Sequence, residues 1–355
     1  MGIVARSLHS FKASIFVTLL GIVLAWFLGG PEQAFVVAIL ALLEISLSFE
    51  NAVVNATVLG RMSKFWQRMF LTLGMVIAVV GMRLLFPVAI VMATARLKFG
   101  AVVDLAVHHP AVYAEKLELA HPSIASFGGM FLLMIFLDFL LDSGKQVHWI
   151  EVIERPLARV GRLRTVSVVF ALVALAMVAT WVQSDVREVL VGGILGLGTY
   201  LLVRFVTRLF EAFGGLSHDG KAKNSPRQPV TGLAALGLFV YLEVLDASFS
   251  FDGVVGAFAI TGNVFSIMIG LGIGAMVIRE LTVWLVRHDT LTELVYLEHG
   301  AYYAVGALAV MLALSLRFDI PDVVTGLVGA VFIGAALVSS LREQKAAKKI
   351  TRKTS

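Results

Sequence analysis

Apolar residues in this chain gather into ten long blocks, at 13–30, 33–59, 67–95, 123–142, 166–184, 187–205, 230–260, 263–286, 296–316 and 320–341. A helix of about 20 apolar residues spans the hydrocarbon core of a bilayer, so the blocks predict membrane-crossing helices. The expected fold class is all-α, a polytopic membrane helix bundle with about ten transmembrane helices. Blocks five and six are separated only by Gln183, Ser184, Asp185 and Val186, a tight turn between two spans. Block six is short and Gly-rich, so nine spans is the competing count. The first block follows Arg6 and Lys12, as a signal peptide would. The sequence after it, Leu28-Gly29-Gly30-Pro31-Glu32, offers no small-residue cleavage site, so the block reads as a retained helix.

Composition agrees with this pattern. Of 355 residues, 59% are hydrophobic and only 15% are charged, against about 25% in an ordinary soluble domain. That excludes a disordered chain and a nucleic-acid-binding module, and leaves too little polar surface for a soluble enzyme. The chain has no cysteine, which excludes disulfides, thiolate metal sites and a Cys nucleophile. His-Glu-x-x-His, Gly-x-Ser-x-Gly and Walker motifs are absent, so the expectation is a protein that is not an enzyme and holds no cofactor.

The net charge of +5 is read first as topology. With the N-terminus in the cytoplasm and the blocks alternating, 22 of the 29 Lys and Arg residues fall on the cytoplasmic side and five on the other. Arg83 and Arg279 lie inside blocks. The asymmetry favours this orientation, with both termini cytoplasmic. Five segments follow. They are an extra N-terminal helix (1–32), a first repeat (33–142), connecting helices and loops (143–229), a second repeat with the last helix (230–341), and a basic tail (342–355) attracted to anionic lipid.

An internal match carries the chemistry. Glu44-Ile45-Ser46-Leu47-Ser48-Phe49-Glu50-Asn51 in block two and Asp246-Ala247-Ser248-Phe249-Ser250-Phe251-Asp252-Gly253 in block seven align without a gap at an offset of 202. The following spans match too, because Gly74 precedes Arg83 by nine positions and Gly270 precedes Arg279 by nine. Block two runs inward and block seven outward, so the repeats are inverted. That is a common architecture of secondary transporters, with the substrate site near the midplane between repeats.

Charge inside a bilayer costs about 2.5–3.5 kcal/mol per group on insertion scales. Glu44, Glu50, Asp138, Glu243, Asp246, Asp252 and Glu280 lie in or near spans, with only Arg83 and Arg279 opposing them. The excess of acid calls for protons or bound cations. On a helix at about 100° per residue, Glu44, Ser48, Asn51 and Asn55 share one face, and Ser46 and Glu50 lie well away from it. Either the second face meets the repeat's own arginine, so that Arg83 and Arg279 balance Glu50 and Asp252, or the helix unwinds at the motif. The donors are carboxylate, hydroxyl and amide oxygens, which favour Mn²⁺, Mg²⁺ or Ca²⁺ over Cu⁺ or Zn²⁺. Clustered carboxylates can also exchange a metal for protons.

The run Asp246 to Thr261, with Phe251-Asp252-Gly253-Val254-Val255 and Ala259-Ile260-Thr261, then Arg279 and Leu297-Glu298-His299-Gly300, resembles the TerC family. These are bacterial integral membrane proteins named for tellurite resistance. Glu44 to Asn51 resembles the family's first acidic motif, and the resemblance covers roughly 33–316. The family usually has Asp-Asn where Glu50-Asn51 stands, and Asp-Ser where Asp252-Gly253 stands. The chain is also longer at the N-terminus and around 96–122, as a divergent branch would be. Several members are implicated in Mn²⁺ efflux, so the resemblance implies metal-ion export at a bacterial inner membrane.

The resulting expectation is export of a divalent cation, Mn²⁺ favoured, by alternating access. Glu44, Glu50, Asn51, Asp246, Asp252, Glu243, Ser48 and Ser250 would hold the ion. Arg83 and Arg279 would balance charge, and Asp138 is a candidate pathway residue. The expected partners are lipid, the metal ion and protons as coupling ion, with no nucleic acid; a homo-oligomer is compatible. The competing function is a non-transporting membrane factor in envelope stress or membrane-protein assembly. Segment 96–122, with His108, His109 and His121, is expected to be a solvated outer loop containing an interfacial helix over Val102 to Leu119. The glycines are expected to allow close helix packing.

Overall fold

The computed structural model describes residues 11–160, 165–182, 185–213, 229–261, 263–288, 294–318 and 320–354. The described regular structure is all α- or π-helix, joined by short connections, with one isolated bridge between Met62 and Val230. In order, the helices are α1 (Lys12–Leu47), α2 (Phe49–Leu59), α3 (Lys64–Val76), a π-helical stretch Ile77–Leu85, α4 (Phe86–Ala95) and α5 (Phe99–His108). There follow α6 (Pro110–Leu140), α7 (Glu151–Val160), α8 (Val166–Trp181), α9 (Val186–Phe213), α10 (Gly232–Ile260), α11 (Val264–Arg287), α12 (Leu297–Ser315) and α13 (Asp322–Thr354).

Eight stretches of described helix are long and apolar enough to cross a membrane. One of them, α1, folds back on itself. Gly29 and Gly30 leave helical geometry, and Gly30 takes φ +76° with ψ −169°, a region open essentially to glycine. Ser14 Oγ donates to Glu280 Oε2 at 2.6 Å, near the far end of α11, whereas Ser266 Oγ at the start of α11 donates to Gln33 Oε1 at 2.6 Å. The arm 12–28 therefore runs antiparallel to α11 and the arm 31–47 parallel to it. With α1 counted as two crossings, and the 16-residue apolar α8 added, the described residues offer ten candidate crossings.

The outward side of the first arm is apolar. Phe16, Leu19, Trp26 and Phe27 are exposed, Phe27 by 83%. Such a surface is stable against hydrocarbon and not against water. Inside, Val53 and Val54 of α2, Phe131 and Met134 of α6, Leu245 of α10, and Ala301 and Val305 of α12 form the central cluster. Helices α6 and α9 approach closely because Gly192 and Gly196 present no side chain. A methyl group there would meet the carbonyl oxygens of Ser123 at 2.2 Å and Phe127 at 2.1 Å. This is the small-xxx-small packing of membrane helices.

Segment 96–122 differs from expectation. The interfacial helix predicted over Val102 to Leu119 is divided at His109, since Pro110 is pre-set for the first turn of a new helix. From Pro110 the chain is helical to Leu140, so His121 lies in a long helix and not in a loop. His108 and His109 remain at the short connection, where His108 Nδ1 lies 2.8 Å from Asp104 Oδ1 on an exposed turn.

Candidate functional site

The two motifs meet in antiparallel fashion at the centre of the bundle. Asn51 Nδ2 donates to Asp246 Oδ1 at 2.7 Å. Gly253 lies against Glu44, so close that a methyl group there would fall 2.8 Å from Glu44 Oε2. The offset of 202 maps Glu44 onto Asp246 and Asn51 onto Gly253, so these contacts are the same contact seen from each repeat. The repeats are inverted, as the orientation argument requires.

The arginines obey the same symmetry. Arg83 pairs with Glu44 and also donates from Nη1 to Ala78 O at 2.8 Å. Arg279 Nη2 donates to Asp246 Oδ2 at 2.9 Å. Arg279 also grips Glu243 through both amine groups, at 3.2 and 3.1 Å, donates to Phe70 O at 2.9 Å, and stacks over the Phe70 ring at 4.3 Å. Each arginine thus balances the first acid of its own repeat. The expectation that Arg83 faces Glu50 is corrected; Arg279 pairs with Glu243 and Asp246, and its expected partner Asp252 has its side chain outside the described ones. The reason is helical phase: Glu44 and Asp246 face the neighbouring arginine helices, and Glu50 is turned away.

The acidic helix is interrupted only in the first repeat. At Ser48, φ is −110° and ψ is 11°, and α1 gives way to α2; α10 runs through its motif without interruption. Ser48 Oγ donates to Glu44 Oε1 at 3.1 Å. Past this break Glu50 points toward α13, where its carboxyl oxygens lie 3.1 and 3.3 Å from where a Cβ on Gly329 would be. The side chains of Ser250 and Asp252 lie outside the described ones.

Glu44, Ser48, Glu50, Asn51, Asn55, Arg83, Glu243, Asp246 and Arg279 are all buried. Among the described residues, Glu50 Oε2, Asn51 Oδ1 and Asn55 Oδ1 have no hydrogen-bond partner, and neither have the Nε atoms of the two arginines. Among the described residues no three His, Asp or Glu side chains converge as a ready-made metal cage. A cation here would draw on amide and hydroxyl oxygens together with carboxylates released from the arginines.

Asp138 is placed apart from the two motifs. It pairs with Arg204 of α9 and accepts from the Tyr200 hydroxyl. Arg204 is therefore a partner of Asp138. Glu280 is held by Ser14, through Oγ and through the backbone N–H at 3.3 Å. A cluster that sequence reasoning missed lies beneath α12. Glu154 of α7, fully buried, pairs with Lys145 Nζ at 2.7 Å, accepts the Trp149 and Ile150 N–H groups at 3.2 Å, and accepts from the Tyr303 hydroxyl at 3.3 Å. His299 Nε2 bonds to Val147 O at 3.0 Å. Burial works to raise the pKa of Glu154, but the Lys145 and backbone hydrogen bonds and the Lys145 charge outweigh it and hold it below its ordinary value of 4.5. The sequence signals for this clasp were an acid beside basic residues in 143–165 and the Glu298-His299 pair; nothing in spacing alone joined them.

The family described as "Protein of unknown function (DUF475)" matches residues 49–347. A curated relative, "Uncharacterized membrane protein YceF" of Bacillus subtilis (strain 168), is 29% identical over 140 residues, covering 37% of this chain and 53% of that protein. The chain thus spans about half the length of the curated relative it matches. No solved structure matches.

Proposed function

The chain belongs to the DUF475 family, and from that premise we propose that this membrane protein exports a divalent metal cation, Mn²⁺ favoured, by alternating access between its two inverted repeats. The observation that carries the reading is the symmetric core, in which Glu44·Arg83 and Asp246·Arg279 are equivalent ion pairs flanked by oxygens that have no partner among the described residues. Charge and orphaned acceptors at the centre of a bilayer are costly unless a substrate uses them. The motif order that resembles the TerC family supports a metal ion as cargo. The exporter carries no enzymatic activity or resident cofactor in this reading, and sits in a bacterial inner membrane with both termini cytoplasmic.

Arriving from the cytoplasm, the ion would take Asp246, Asn51, Glu44 and Ser48 as ligands, with Glu243, Ser250, Asp252 and Glu50 completing the acidic lining. Arg83 and Arg279 would swing off their carboxylates as the ion binds and return as it leaves. Protons are the proposed coupling ion. The test is uptake of Mn²⁺, Mg²⁺, Ca²⁺ and Zn²⁺ into everted vesicles, with and without a pH gradient. Asp246→Asn is expected to abolish uptake while the protein still inserts. Undiminished uptake by that variant would sink the site. If the wild type moves none of the four, the competing reading gains: a non-transporting factor acting through the folded segment 145–160, where Val152 of α7 is 86% exposed.

A further inference from the structure

We infer that the side-chain oxygens of Asn51 and Asn55 form a neutral two-oxygen step that takes a partly dehydrated divalent cation from the cytoplasmic side and passes it to Asp246. The inference rests on the transport reading above.

Both asparagines are 1% exposed, and Oδ1 of each lacks a hydrogen-bond partner among the described residues. The Asn51 amide nitrogen is committed to the Asp246 carboxylate at 2.7 Å, so its oxygen is the end left over. Residues four apart on α2 share a face, with Cβ atoms about 5–6 Å apart, so two such oxygens can approach one ion in turn or together. Asn55 lies one turn past Asn51 toward Leu59, the end of the bundle where Met62 meets Val230 before α10 begins. That places it ahead of Asp246 on a path from the cytoplasm.

Symmetry isolates the feature. The position 202 residues after Asn55 is Ala257, fully buried, and that after Asn51 is Gly253. An apolar residue is therefore compatible with the equivalent place in the other repeat. A desolvated amide oxygen left unpaired is costly, and a bound cation would offset that cost. Neutral oxygens suit a transit site, because binding must be strong enough to admit the ion and weak enough to release it. They also discriminate. Mg²⁺ gives up its water reluctantly and keeps several waters in most sites, whereas Ca²⁺ accepts carbonyl oxygens readily. A step built of two amides therefore disfavours Mg²⁺ relative to a softer, more readily dehydrated ion such as Mn²⁺.

The test uses the full chain in everted vesicles with MnCl₂ or MgCl₂ as probe. Asn55→Leu is expected to raise KM for Mn²⁺ by about tenfold or more, as loss of a supporting ligand does, while the melting temperature in detergent stays level or rises. Asn55→Asp is expected to lower KM, slow turnover through tighter holding, and narrow the preference for Mn²⁺ over Mg²⁺. Should Asn55→Leu fail to accumulate, Asn55→Ala, which copies the residue of the second repeat, takes its place. An unchanged KM and Mn²⁺/Mg²⁺ ratio in a folded variant overturns the inference and leaves the transport reading standing. A KM change that comes with a fallen melting temperature marks a structural role and overturns it too. Absence of wild-type transport of either ion removes both.

Discussion

Asn51, Gly253, Glu44 and Asp246 show how little tolerance the centre of the bundle has. Gly74 extends the point, since a methyl group there would lie 2.3 Å from Arg279 Nη1 and 2.5 Å from Glu243 Oε1. Gly74→Ala is expected to break that buried pair, at about 3–5 kcal/mol, and to lower the melting temperature in detergent sharply. Gly198, with nothing within 4 Å of an added methyl group, is the control; Gly198→Ala should be neutral or slightly stabilising, by about 0.5–1 kcal/mol. The identity of the charged residues was legible in the sequence, since acids and arginines inside apolar blocks stand out. Their partners were not. Glu44 and Glu50 are six residues apart and look alike in one dimension, yet one meets Arg83 and the other meets Gly329 of α13.

Local geometry is what α1, α2 and the π-helical stretch contribute. The reversal at Gly30 depends on a positive φ that a side chain opposes, so Gly30→Ala is expected to cost about 1–3 kcal/mol, read by thermal unfolding in detergent. The π-helical stretch carries Arg83, whose guanidinium donates to Ala78 O five residues back, within the same stretch. Such bulges cluster at functional sites, and α11, which bears Arg279, has none. On the basic side, α7 is tied down through Glu154. Its pKa is depressed on folding, so its stabilising effect is present above 4.5 and is lost as pH falls through the lower folded value. Glu154→Gln should therefore melt below the wild type at pH 7, and the gap should close as the pH drops below about 4.5. A gap that stays constant down to pH 3 would refute the assignment.

Over the whole molecule, the inverted repeats share one centre while α6, α9, α12 and α13 pack around it. Absence of cysteine makes the topology directly testable. Val152→Cys on α7 and Val107→Cys on α5 are both exposed positions. A membrane-impermeant thiol reagent added to intact cells is expected to label position 107 and to spare position 152 until the membrane is opened. Labelling of position 152 with position 107 spared would reverse the proposed orientation, and labelling of both from outside would overturn α6 as a crossing. The single span α6 lies between these two positions and places them on opposite sides, whereas the doubled-back α1 fixes only how that pair relates to the N-terminus.

Read in one dimension, the chain already shows a helical membrane protein with two related acidic motifs and an uneven spread of basic residues between alternate connections. Hydropathy, repeat offset and charge asymmetry are one-dimensional quantities, set by what each residue would cost in hydrocarbon. Folding in three dimensions sets which carboxylate meets which arginine, pairs Asp138 with Arg204 and Glu154 with Lys145, and lays α13 over Glu50. Those pairings depend on helical phase, on one break at Ser48 and on a glycine turn at residue 30. A shift of one residue along a helix turns a side chain by about 100° without altering the hydropathy of the block.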